Sequence, residues 1–230
     1  MNTAPLHIPE PPGHALARSL FDKCVAVAAT DPRSAHNRTL PQEAGPVARM
    51  APLRQKSYAA GRAAAHVAMR QLAQPVAPVL MAPDRAPVWP RGLTGSISHS
   101  QTCCIAVLAR MDEVTALGVD VEEDSDLDMD LLSVVCTHKE RDWLSRQPSL
   151  RAGLLAKLIF SAKECAYKCQ YPRSKTLFGF DTLIITPDPE SGQFEATFLT
   201  DIPHFPAGTR LEGRFAIKGG LIVTAMAIRP

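Results

Sequence analysis

Residues 117–122, Leu-Gly-Val-Asp-Val-Glu, set the tightest limit on how this chain can fold. In a β-strand, side chains two apart share a face. Asp120 and Glu122 therefore project together while Val119 and Val121 point into a core, and Gly118 lets another backbone come close at the same point. Two neighbouring carboxylates repel each other, and one tends to stay protonated unless a cation sits between them. Mg2+ meets that need, because it takes oxygen ligands and is often held by one or two carboxylates plus substrate phosphates. The plainer reading is a solvated strand end, since Glu123, Asp124, Asp126, Asp128 and Asp130 continue the acidity. This segment alone does not choose between them.

A second segment, Phe160-Ser-Ala-Lys-Glu-Cys-Ala-Tyr-Lys168, reads as helix. Glu164 and Lys168 stand i and i+4 and share one face, while Lys163 lies about 100° away and pairs with Tyr167. One face thus offers a third metal carboxylate and a cation that can meet a phosphate. A surface Glu-Lys pair, worth a few tenths of a kcal/mol, is the alternative. The apolar neighbours Phe160, Ala162 and Ala166 speak for a partly buried helix instead. A third segment, Gly95-Ser-Ile-Ser-His99-Ser, places His99 near a strand end among hydroxyls that can bind a phosphate. A structural or surface histidine fits the same pattern. Walker, dinucleotide, zinc-helix and nucleophile-elbow motifs are all missing from the chain.

The remaining pattern organises these segments. The first forty-odd residues read as irregular and proline-rich, with a strand near Lys23–Ala28. A helix follows over Pro52–Leu72, then a proline-rich connection over Pro75–Pro90. Strands are expected at 96–98, 103–109 and 114–121, with irregular chain over 123–138. Ser149 can cap a long helix running to Cys169 and broken by Pro172. Three further strands are expected at 194–199, 211–218 and 221–228, the last two joined at Gly219-Gly220 by a tight turn. Helix followed by antiparallel strands, twice over, points to an α+β fold rather than a doubly wound parallel sheet.

Composition narrows the class further. With 25 Lys+Arg against 23 Asp+Glu, a net charge of +2 lacks the basic excess of a nucleic-acid binder. No run approaches the roughly 18–20 apolar residues of a membrane span, and the first residues lack a secretory pattern. The six cysteines show no metal or disulfide spacing, and adjacent Cys103 and Cys104 face opposite ways on a strand. A cytoplasmic protein with reduced cysteines is expected.

Taken together, Gly118-Val-Asp120-Val-Glu122 and Phe160-Ser-Ala-Lys163-Glu164-Cys165-Ala-Tyr-Lys168 resemble the signature of the Sfp-type phosphopantetheinyl transferase superfamily. Cys165 departs from that signature's usual Ser or Ala. Trp89-Pro90, the Gly95–Ser100 stretch and Arg54-Gln-Lys-Ser-Tyr58-Ala-Ala-Gly61-Arg62 look like the branch containing enterobactin synthetase component D. The resemblance spans residues 40 to 185. It implies a pseudo-twofold pair of α+β halves, 1–116 binding coenzyme A and 117–230 carrying the metal and catalytic motifs, with the active site between them.

It also implies that Asp120, Glu122 and Glu164 hold Mg2+ against the coenzyme A pyrophosphate. Glu164, or a metal-bound water it orients, would serve as base, and Lys168 would contact the phosphates and help stabilise the departing 3',5'-ADP. His99, Ser98, Arg54, Arg62, Arg85 and Lys163 would bind the cofactor. The acceptor would be a serine of an apo peptidyl or acyl carrier protein in siderophore, nonribosomal peptide or polyketide synthesis. A monomer is expected, with neither nucleic acid nor membrane as partner. Two rivals use the same residues: a Mg2+-dependent phosphatase or nuclease with water as nucleophile, and a silent coenzyme A- or carrier-binding module.

Overall fold

The computed structural model of the protein describes residues 11–45 and 47–230, so the irregular chain expected over the first ten residues lies outside the described residues. The chain runs through α1 (Pro12–Leu20), β1 (Ala26–Thr30), α2 (Pro52–Gln71), β2 (Leu80–Met81) and β3 (Pro87–Val88). It continues with β4 (Leu93–His99), β5 (Cys104–Arg110), β6 (Ala116–Glu123), α3 (Met129–Val135), α4 (His138–Ser145) and α5 (Ser149–Ser174). Four strands close it: β7 (Leu183–Asp188), β8 (Gln193–Phe198), β9 (Arg210–Lys218) and β10 (Leu221–Ile228). The fold is α+β, as the element order implies.

Every strand pairing among the described residues is antiparallel. One sheet has the order β1-β5-β4, a second has β6-β10-β9-β8-β7, and β2 and β3 form a small hairpin. The two larger sheets meet where β4 lies along β6. Serine hydroxyls, not carbonyls, receive the buried β6 donors there. Val119 N–H donates to Ser96 Oγ at 3.2 Å and Val121 N–H to Ser98 Oγ at 3.4 Å. Buried backbone N–H groups need a partner, and side chains supply it.

Three cores hold the layers together. In the first, α5 packs on β7–β10 through residues such as Ile159, Phe194, Phe198 and Ile222. In the second, Val119 and Val121 meet Ala17 of α1, Val27 of β1, Ile105 and Val107 of β5, and Val223 of β10. In the third, Ala64, Ala65 and Ala68 bring α2 close against Ala26, Ala28, Ala106 and Leu108. The second core draws residues from both sides of the 116/117 junction, so the two segments of chain bury one another.

Several elements differ from the expected ones, each for a local reason. The proline-rich start contains α1, because a proline is accepted at a helix's first turn and Leu16, Ala17 and Leu20 cover the second core. The tract 123–138 carries α3 and the start of α4. Asp128 accepts from Asp130 N–H at 3.1 Å, and Thr137 with Glu140 forms a capping box, Thr137 N–H donating to Glu140 Oε2 at 2.6 Å. Pro148, not Ser149, holds the cap position of α5, and no side chain caps it. The helix passes through Pro172 to Ser174, where left-handed Lys175 (φ 54°) donates its N–H to Tyr171 O at 2.9 Å and closes the last turn. β7 is a strand beyond those expected, and Pro187 fits within it because β7 is an edge strand. The Gly219-Gly220 turn is as expected, with both φ angles positive at 65° and 80°.

Candidate active site

The face of β6 carrying Gly118, Asp120 and Glu122 lies under α5, and a matching row of helix residues crosses it. A Cβ on Gly118 would stand 2.1 Å from the Cys165 carbonyl oxygen, so only glycine lets the helix come this close. One helical turn earlier, Ser161 Oγ donates to Asp120 Oδ2 at 2.8 Å. A further turn back, Lys157 Nζ stands 3.6 Å from Glu122 Oε2. Residues 165, 161 and 157 thus face 118, 120 and 122 in order.

Asp120 is only 2% exposed. Its other oxygen, Oδ1, accepts from Lys168 Nζ at 2.6 Å and from Ser98 Oγ at 2.7 Å. Burial and then the Asp120 charge push the Glu122 carboxyl up to about 7, with Lys157 and Lys168 pulling the other way. Burial likewise raises Glu164, helped by Asp120 and opposed by Lys168. Burial alone would lower Lys168, but Asp120 and Glu164 outweigh it and hold the ammonium above its ordinary value. Carboxylates that make one another costly to ionise stabilise a cation placed among them.

That chemistry fits Mg2+. Among the described residues no three His, Cys, Asp or Glu side chains form a ready cage. Mg2+ seldom uses one, being bound through one or two carboxylates with phosphate oxygens and water completing its shell. Asp120 and Glu122, with Glu164 alongside, provide hard oxygen donors of that kind.

Beside this cluster opens a cavity of about 540 Å³ between α2, the β2–β3 hairpin, β4 and α5. Arg54, Arg62, Arg85, His99 and Lys168 all line it, so five of the residues expected to bind the cofactor converge. Arg62 is 6% exposed; its Nε donates to Val79 O at 2.9 Å, and its guanidinium lies 4.0 Å from the Tyr58 ring centre. Loss of water around His99, with the charges of Lys168 and Arg54, lowers its pKa and favours the neutral imidazole; Asp120 opposes them. At the far rim the Tyr171 hydroxyl donates to Asp84 and ties α5 to the hairpin tip that carries Arg85. A second cavity of about 230 Å³ lies by Glu164, lined by Phe178, Phe180 and Leu183; Tyr167 borders both.

Two expected cofactor residues have partners inside the protein. Lys163 is turned into the protein, 2% exposed, with its three ammonium donors on Val135 O, Glu140 Oε2 and Phe180 O, each at 2.8 Å. It has no free donor for a phosphate. Ser98 is 6% exposed and gives its one hydroxyl hydrogen to Asp120, while accepting from Val121 N–H and Lys168 Nζ. It braces Asp120. Ser161, Thr224, Lys157 and Tyr171 join the site with no sequence signal for these contacts. Only Ser161 sat within a motif, and nothing in its spacing showed what it touches.

Comparison with known proteins defines the class. Residues 42–109 match the family described as 4'-phosphopantetheinyl transferase N-terminal domain, and residues 116–218 match the 4'-phosphopantetheinyl transferase superfamily. The chain belongs to the 4'-phosphopantetheinyl transferase superfamily and is a transferase of that type. It is 37% identical over 192 residues to 4'-phosphopantetheinyl transferase Svp of Streptomyces mobaraensis, covering 82% of this chain and 78% of that protein. To PptT of Mycobacterium tuberculosis it is 33% identical over 196 residues, covering 82% and 86%. Enterobactin synthase component D of Salmonella typhi is 37% identical over 135 residues, covering 58% and 55%.

Proposed function

We propose that the protein moves the 4'-phosphopantetheine group of coenzyme A onto a serine of an apo peptidyl or acyl carrier protein in a Mg2+-dependent reaction that releases 3',5'-ADP. The observation that carries this reading is the carboxylate–lysine cluster of Asp120, Glu122, Glu164 and Lys168 at the end of a cavity lined by Arg54, Arg62, Arg85 and His99. Such a cavity suits a ligand with several phosphates, and the cluster suits the reacting pyrophosphate.

Mg2+ held by Asp120, Glu122 and Glu164 would offset the pyrophosphate's negative charge, which is the main electrostatic task in phosphoryl transfer. Arg54, Arg62, Arg85 and His99 bind and orient coenzyme A in the larger cavity. The smaller cavity, sharing Tyr167 as its wall, accepts the uncharged arm beyond the pyrophosphate. The serine oxygen attacks the phosphorus bearing the pantetheine, and the bond from that phosphorus to the bridging oxygen breaks. The serine proton passes to Glu164, directly or through one water. Lys168, already at 2.6 Å from Asp120, neutralises charge on the departing 3',5'-ADP. Halves 1–116 and 117–230 each supply part of the site.

The protein is read as a cytoplasmic monomer. All six cysteines are free, which fits a reducing compartment, and no helix among the described residues is long and apolar enough to cross a membrane. Likeness to enterobactin synthase component D supports a siderophore carrier, and nonribosomal peptide and polyketide carriers remain within the same chemistry. Intact-protein mass spectrometry of apo carriers with coenzyme A, in Mg2+ or EDTA, tests the proposal. A Mg2+-dependent gain of one phosphopantetheine supports it. Coenzyme A cleaved with no carrier modified identifies a hydrolase, and binding without any turnover identifies a silent module.

A further inference from the structure

We infer that Ser161 and Thr224 are positioning residues, forming a hydroxyl relay that fixes the Asp120 carboxylate for metal binding. The inference rests on the proposed Mg2+-dependent reaction and gives a role to Ser161, a motif residue with none so far, and to Thr224, which lies outside every motif.

Thr224 is the direct cross-strand partner of Asp120 in the β6–β10 ladder, so both side chains leave the sheet on the same face. Ser161 of α5 lies above the pair. Its Oγ is 2.8 Å from Asp120 Oδ2 and 2.9 Å from Thr224 Oγ1. Ser161 and Thr224 are both 0% exposed and Asp120 is 2% exposed, so no water competes.

Counting hydrogens fixes the direction of these bonds. A carboxylate only accepts, so the single Ser161 hydroxyl hydrogen goes to Asp120. The hydrogen between the two hydroxyls is then Thr224's, which it shares with Ser161 O at 3.1 Å. Thr224 donates to Ser161 and Ser161 donates to Asp120. Each bond in such a chain polarises the next.

The effect is to hold Oδ2 on the helix side. Oδ1 is left facing Ser98, Lys168 and the cavity end. Without the relay, the carboxylate can turn about its side-chain bonds and leave a buried oxygen unpaired. Groups that hydrogen-bond a metal-ligating side chain commonly change metal affinity by about 10–100-fold when removed.

The test is Mn2+ binding to the full chain saturated with coenzyme A, read from the electron paramagnetic resonance of free Mn2+. Ser161→Ala should weaken Mn2+ binding by about 10–100-fold. Thr224→Val, nearly isosteric, should weaken it in the same direction, and Thr224→Ser should retain wild-type affinity. The double variant should bind as Ser161→Ala does, because Thr224 acts through Ser161. If Ser161→Ala does not fold, the Val and Ser variants at 224 decide the matter. Wild-type affinity in Ser161→Ala or Thr224→Val, or equal losses in Thr224→Val and Thr224→Ser, overturns the relay. A wild-type protein that modifies no apo carrier sinks the proposed reaction instead, and the Mn2+ comparison still reads the relay.

Discussion

Lys163 and Glu140 form a fully buried ion pair, with Nζ 2.8 Å from Oε2 and each side chain 1% exposed. Glu140 also accepts from Thr137 N–H and, through Oε1, from Ile185 N–H at 2.7 Å. One carboxylate and one ammonium thus join α3, α4, α5 and β7. Removing one partner of a buried pair leaves the other charge uncompensated, which costs about 3–5 kcal/mol. Lys163→Ala should lose stability of that order in urea or guanidinium unfolding. Coenzyme A affinity of the folded variant should fall far less than stability does, since Lys163 borders the smaller cavity but spends all three ammonium donors inside the protein.

Glu164 is exposed to the cluster but makes no structural bond of this kind. Glu164→Gln, nearly isosteric and without the charge that burial disfavours, should keep the unfolding free energy within about 1 kcal/mol of wild type. Its transfer rate should fall by about 10²–10⁴-fold, the usual contribution of a general base. Steady-state assay of carrier modification with a parallel melting curve checks both halves. Wild-type-like transfer would exclude Glu164 as the base.

Gly118 sets how closely α5 can approach β6. Gly118→Ala would place a methyl 2.1 Å from the Cys165 carbonyl oxygen, a backbone atom that cannot step aside alone. The helix would have to move, at about 1–3 kcal/mol for overpacking of this type. Transfer should drop with stability, because Ser161 and Lys168 ride on the same helix. Denaturant unfolding and assay of one preparation should show both losses together.

Glu43 is a buried carboxylate outside the Asp120 cluster, accepting from Leu40 N–H at 2.8 Å, Val79 N–H at 2.7 Å and His66 Nε2 at 2.9 Å. Burial alone would raise its pKa, but His66 and the two backbone donors together bring it below the ordinary 4.5. A carboxyl whose pKa is depressed on folding adds stability above its unfolded value and loses it as pH falls through the folded one. Thermal midpoints should therefore decline below pH 4.5, and the decline should be shallower in Glu43→Gln, which starts from a lower midpoint. Equal slopes for the two proteins would remove Glu43 from the acid response.

The sequence made the site's outline legible because its chemistry is local. Asp120 and Glu122 follow strand alternation, and Glu164 and Lys168 follow helical spacing. Lys163 misled, because a lysine beside a functional glutamate looks like a phosphate contact until Glu140 is seen beneath it. That partner lies 23 residues away, and pairing at such range leaves no periodic trace. The Thr137-x-x-Glu140 capping box was present in the sequence and would have located α4. Thr224 was hidden for another reason: it sits in an apolar strand and only the β6–β10 register brings it to Asp120. Glu43 had no local signal either, being an isolated acid in a proline-rich tract.

The matched rows of α5 and β6 have a consequence for how long such a site can be. Four helical residues advance about 6 Å, whereas two strand residues advance about 6.6–6.8 Å. Over the two steps from 118 to 122 the scales drift apart by only ~1.5 Å, which a long side chain absorbs. This is where the sequence changes from no side chain at Gly118, through short Asp120 and Ser161, to the long arms of Glu122 and Lys157. Two steps further the mismatch would reach ~3 Å, and opposing residues would fall out of phase. The stretch of β6 able to present chemistry under the helix is therefore as short as the coincidence of two unequal rulers.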